Sequence, residues 1–166
     1  MLNMAEMKRD IAVIMGSQSD YDTMVYAVDM LKALEISHDI FVISAHRTPE
    51  RLFNFARSAQ EKGFKVVIAG AGGAAHLPGM VASLTYLPVI GVPVRSKELN
   101  GLDSLLSIVQ MPKGVPVATM SIGESGAYNA AITAASILSI SNNKITDRLK
   151  RWREKQTEAV KEKPTL

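Results

Sequence analysis

The sequence predicts a single α/β domain of doubly wound design, a five-stranded parallel sheet covered by helices on both faces. Three observations predict it. Short β-branched or apolar runs alternate with segments of helical spacing, the runs are apolar almost throughout, and each opens into a loop rich in Gly, Ser or Pro. Near-continuous apolarity indicates strands buried on both faces, and strictly alternating strands and helices indicate right-handed parallel crossovers. With 166 residues, 47% of them hydrophobic, the chain has material for one such core.

The strands are predicted at 10–15 (DIAVIM), 38–43 (HDIFVI), 65–69 (KVVIA), 88–92 (PVIGV) and 115–120 (GVPVATM). Met24, Val28, Leu31 and Leu34 mark the first helix, with Asp20 as its cap. Leu52, Phe55, Ala56 and Ala59 mark the second, opened by Thr48, Pro49 and Glu50. A third helix is expected over about 76–85 and a fourth over about 102–110. The fifth, SGAYNAAITAASILSI, has Ser125 as its expected cap and no polar face, which calls for burial on several sides and hence for self-association. A last helix over roughly 142–160 puts Ile145, Leu149 and Trp152 on one stripe. The expected strand order is 2-1-3-4-5, the flavodoxin-like arrangement.

Charge separates the chain into two parts. Residues 1–146 balance twelve Lys/Arg against twelve Asp/Glu, whereas 147–166 hold seven bases against four acids, so the whole net charge of +3 sits in the final segment. We therefore expect a single α/β domain over 1–146 and a charged helix over 147–166 that packs in an assembly and binds no nucleic acid. Within it, Asp147–Arg151 and Lys150–Glu154 have the spacing of helical ion pairs. The chain has no cysteine, which excludes disulfides, a thiolate nucleophile and Cys-zinc sites, and fits a reducing cytoplasm. No apolar run is long enough to span a bilayer, and the first ten residues lack a signal-type apolar stretch.

Unusual polar residues gather after strands 1, 2 and 3, where a sheet of this order opens its ligand crevice. The first loop, Gly16-Ser17-Gln18-Ser19-Asp20, offers hydroxyls and helix-start N–H groups to an anion, and Asp20 an acceptor to a sugar hydroxyl. The second, Ser44-Ala45-His46-Arg47-Thr48-Pro49, joins a group able to move a proton near neutrality to a planar cationic fork for phosphate or carboxylate. The third, Gly70 to Gly79, brings small residues that let backbone approach a flat ligand, with His76 at the next helix start. It fits G-x-G-x-x-A loosely, but in the third βα unit and without a suitably placed acid, so a dinucleotide site is not expected. His38 falls at the opposite edge of the sheet and reads as structural, which removes a three-histidine metal site. A phospho-receiver lacks its aspartate at Gly70-Ala71, and a flavin carrier lacks aromatic residues in the loops after strands 3 and 4.

In order along residues 10–140, GSQSD, SAHRTPE, AGAGGAAHLPGM, PVIGVPV and GLDSLLSIVQMPKGVPVAT resemble the N5-carboxyaminoimidazole ribonucleotide mutases, the class I enzymes of purine (IMP) biosynthesis. The resemblance implies interconversion of N5-carboxyaminoimidazole ribonucleotide and 4-carboxyaminoimidazole ribonucleotide without metal or organic cofactor. It implies substrate-binding roles for Ser17, Asp20 and Arg47 and a proton-transfer role for His46. It further implies a site lined by Ser19, Ser44, Gly72, Ala74, His76 and Leu77, in a homo-octamer with sites at subunit junctions. Class II members, which carboxylate aminoimidazole ribonucleotide directly with carbon dioxide, typically carry Lys where this chain has Arg47. A non-catalytic phosphometabolite-binding module is the remaining alternative.

Overall fold

The structure, a computed structural model, describes residues 9–164. Five parallel strands run in the order β2-β1-β3-β4-β5. They are β1 (Ile11–Met15), β2 (His38–Val42), β3 (Val66–Gly72), β4 (Val89–Val94) and β5 (Ala118–Thr119), interleaved with α1 (Tyr21–Ala33), α2 (Pro49–Ser58), α3 (Leu77–Ala82) and α4 (Leu102–Val109). Two further helices, α5 (Glu124–Ser139) and α6 (Asn143–Ala159), complete the chain. One core lies between the sheet and α1, α5 and α6, and the other between the sheet and α2, α3 and α4.

The central strands β1 and β4 are buried at every position, and β3 until its last residue, as continuous apolarity requires of a sheet covered on both faces. Edge strand β2 departs from this, with Ile40 and Val42 exposed and the rest half-buried. β5 is shorter than expected because only Ala118 and Thr119 pair with β4. β3 and β4 run further than expected, so Gly70 to Gly72 are strand rather than loop.

Three caps differ from expectation. Asp20 makes no side-chain bond to α1 but closes a capping box over the preceding 3-10 turn, accepting from Ser17 N–H at 2.9 Å while Ser19 N–H reaches Ser17 Oγ. Thr48 Oγ1 turns back to donate to the Ser44 carbonyl and accept from Ser44 N–H, so it staples the loop instead of capping α2. Ser125 lies inside α5, whose N-cap is Gly123 at φ 80° and ψ −150°, backbone that only glycine tolerates.

α5 buries Ala127, Ala130, Ala131, Ala134, Ala135 and Leu138 against α1 and the sheet, so much of the covering expected from a second copy comes from within the chain. α6 adds Ile145 and Leu149 to the same core, and Trp152 Nε1–H donates to Tyr128 Oη at 3.3 Å. The i,i+4 pairs expected on α6 do not form; its ion pair instead joins Arg148 to Glu35 at 2.7 Å. Arg148 also donates to the carbonyls of Leu34 and Glu35, which closes the end of α1.

Candidate active site

The parallel sheet sends the loops after β1, β2, β3 and β4 to one end, where they enclose a cleft of about 440 Å³. Ser17, Ser19, Asp20, Ser44, His46, Arg47, Gly72, Ala74, His76 and Leu77 all line it. Arg95 and Ser96, directly after β4, line it too and escaped the sequence reading. The expected strand order already puts β4 beside β3, but the fourth strand is expected to end at 92; because β4 runs on to Val94, Arg95 and Ser96 stand directly at its carboxyl end.

His46 and His76 meet here from different loops. His46 Nε2 lies 2.8 Å from His76 Nδ1, the rings nearly perpendicular at 86°. One of these nitrogens donates and the other accepts, so an imidazolium at His46 keeps the contact only while His76 Nδ1 carries no proton. Both rings are exposed, whereas Leu77, which lines the same cleft, is buried. His38 is elsewhere, at the amino end of β2, bonding the Ile36 carbonyl through Nδ1 at 2.9 Å.

Ser44 organises the second loop. Its Oγ accepts from Arg47 N–H at 3.2 Å and from Arg47 Nε–H at 3.3 Å, which holds the guanidinium stem and leaves its two terminal amino groups for a ligand. The third loop is fixed from beneath by α4. Fully buried Ser104 accepts from Gly73 N–H at 2.9 Å and donates to the Val94 carbonyl at 2.6 Å, while Ser107 donates to the Gly73 carbonyl. Gly73 sits at φ 68°, a turn that suits glycine.

The first loop differs in detail from the anion site expected of a helix start. The N–H groups of Ser17 and Ser19 are occupied inside the capping box, and the Ser19 hydroxyl donates to Ser17 Oγ at 3.1 Å, so the loop offers a ligand a linked pair of hydroxyls in place of those two amides. Asp20 is buried, and burial pushes its carboxyl above the ordinary range against the opposing pull of the Ser17 and Gly16 N–H groups and the nearby Arg47. It retains acceptor capacity toward a hydroxyl placed in the cleft.

A model of the AIR carboxylase family matches residues 10–159. An N5-carboxyaminoimidazole ribonucleotide mutase from Brucella melitensis biotype 1 is 60% identical over 159 residues, covering 96% of this chain and 98% of the relative. The mutase of the same name from Escherichia coli K12 is 54% identical over 154 residues, with 93% and 91% covered. Among solved structures, PurE of Treponema denticola superposes with a TM-score of 0.80 at 27% identity, covering 89% of this chain and 91% of that one. With a family model matched over nearly its whole length and relatives of this identity, the chain belongs to the AIR carboxylase family.

Proposed function

We propose that this chain interconverts N5-carboxyaminoimidazole ribonucleotide and 4-carboxyaminoimidazole ribonucleotide in purine biosynthesis, with His46 as both acid and base. Relatives carrying the mutase name at 54–60% identity make it an enzyme of the isomerase type. The observation that carries the mechanistic reading is the 2.8 Å contact between His46 and His76, in a cleft that Arg47 and the small-residue segment Gly72–Ala74 also line.

The steps follow from the chemistry of the groups. His46 as imidazolium gives a proton to the carbamate nitrogen, the N–C bond breaks, and carbon dioxide and aminoimidazole ribonucleotide form in the cleft. The electron-rich ring carbon then attacks carbon dioxide, and neutral His46 takes the proton from that carbon. The proton lent in the first half is returned in the second, so the enzyme ends each turnover as it began. His76, bonded to His46, fixes the ring orientation in which this happens. No metal or organic cofactor enters the scheme.

Arg47 and the hydroxyls of Ser17 and Ser19 bind the phosphate, and Asp20 accepts from a ribose hydroxyl. Ser44 positions Arg47; Gly72, Ala74 and Leu77 border the reacting ring. Retaining carbon dioxide needs exclusion of water, and the exposed imidazoles of the single chain lack that cover. We assign the cover to neighbouring copies in a homo-octamer, the chemistry to residues 1–146, and a packing role to 147–166. A cytoplasmic enzyme acting on a soluble nucleotide is consistent with the absence, among the described residues, of a helix long and apolar enough to cross a membrane.

Assay of the purified chain with each carboxylated nucleotide, and with aminoimidazole ribonucleotide plus bicarbonate, tests the reading. We expect interconversion that added bicarbonate does not accelerate. Turnover of aminoimidazole ribonucleotide and carbon dioxide alone would assign the direct carboxylase reaction, and binding without turnover of any substrate would assign a non-catalytic module.

A further inference from the structure

We infer that Arg95 is the cation that recognises the carboxylate end of the substrate, a proposal that rests on the mutase reading and names a residue for its second anionic group. Arg95 follows the last residue of β4 and lines the same cleft. Among the described residues it enters none of the four ion pairs. Glu124, beside Gly123, is engaged with Tyr26, and Asp103 accepts from Ser96 at 2.6 Å.

The side chain is nevertheless placed. A Cβ at Gly123 would stand 3.2 Å from Arg95 Nε and 3.7 Å from its Cγ, so the stem lies across the bare backbone of Gly123. A Cβ at Gly101 would stand 3.2 Å from the Arg95 Cα. Both glycines have positive φ, 80° and 93°, and any larger residue at 123 would take the space this arginine occupies.

The order of groups across the cleft supplies the ligand. In the sheet order, Arg47 follows β2, Asp20 follows β1, Gly72 ends β3 with Gly73, Ala74 and His76 after it, and Arg95 follows β4. Three strand spacings separate the two arginine-bearing ends, about 14 Å. A carboxylated aminoimidazole ribonucleotide presents phosphate, ribose, flat ring and carboxylate in that sequence. Cation, hydroxyl acceptor, small-residue loop with imidazoles, and second cation match it group by group, and only the two ends of the ligand carry negative charge.

The test compares Arg95→Met with the unaltered enzyme, using binding of 4-carboxyaminoimidazole ribonucleotide and of aminoimidazole ribonucleotide, which lacks the carboxylate. Loss of a charge-assisted contact predicts about tenfold or greater weakening for the carboxylated nucleotide and unchanged binding of the other. Arg95→Lys keeps the charge and should recover part of the loss. Equal weakening for both nucleotides, or none for either, overturns the proposal while the mutase reading stands on the activity of the unaltered enzyme. If the unaltered enzyme neither converts nor binds the carboxylated nucleotide, both fall together.

Discussion

The two ends of the sheet treat charge in opposite ways. At the amino end, Arg9 meets Asp39 at 3.2 Å, Lys65 meets Asp10 at 2.8 Å, and Arg148 meets Glu35 at 2.7 Å. Asp10 also accepts from Ser37, and His38 is spent on a neighbouring carbonyl. At the carboxyl end Arg47 and Arg95 enter no ion pair among the described residues, and two imidazoles face each other in an exposed cleft. The same parallel strands feed both ends, so the difference lies in the loops. Charges satisfied by the protein hold the fold, and charges left over are available to a ligand.

The sharpest way to break this contrast is His46→Asn. Asparagine keeps a polar side chain of similar reach but cannot shuttle a proton, so turnover should fall by roughly 100-fold or more while nucleotide binding survives. Near-normal turnover would remove His46 from the proton steps. Arg47→Ala comes next. If Arg47 holds the phosphate as proposed, the Michaelis constant should rise by about tenfold or more with a smaller change in turnover. An unchanged constant would mean that the Ser17–Ser19 loop binds the phosphate without it.

The contrast itself was half legible in the amino-acid sequence. Apolar runs such as IAVIM and VVIA announce buried strands because no polar face interrupts them, and the sheet order then sends GSQSD, SAHRT and the glycine-rich segment to one end. What stayed hidden depends on contacts between distant residues. Arg95 reads as one charge in a loop until β4 is found to run to Val94 and Gly123 is found beneath its stem. Thr48 and Asp20 carry the usual signature of helix caps, yet each satisfies its own loop first, because Ser44 and Ser17 offer nearer partners. The edge strand β2 looks as apolar as the others, and only its place at the margin of the sheet explains its exposure.

Asp20 is the exception that sharpens the comparison, a buried carboxylate at the ligand end. Burial raises its pKa above the ordinary value of 3.8, outweighing the two N–H donors and Arg47. The folded protein therefore holds this proton to higher pH than the unfolded chain does. Its contribution to stability is full below the unfolded value and is lost as pH rises through the raised folded value. An asparagine in its place does not titrate, and the amide oxygen can still accept from Ser17 N–H. Thermal melts of wild type and Asp20→Asn from pH 3 upward should show wild type losing ground to the variant across that window. A difference that stays constant, or grows in favour of wild type, would contradict the burial argument.

The smallest effect is expected at the amino end. Lys65 pairs with Asp10 through a side chain that is 60% exposed, so solvent screens the interaction and Lys65→Met should cost about 1 kcal/mol or less. For a domain of this size that is a shift in melting temperature of about 2–4 °C at most. Asp10 would keep its bond to Ser37, so the β1–β2 junction should not open. Turnover and the Michaelis constant should be unchanged, because a buried strand separates Lys65 from the cleft and no loop of the site leans on it. A drop in turnover without a matching loss of stability would mean that the paired charges at one end help set the unpaired ones at the other, and the division of labour between the two ends would have to be abandoned.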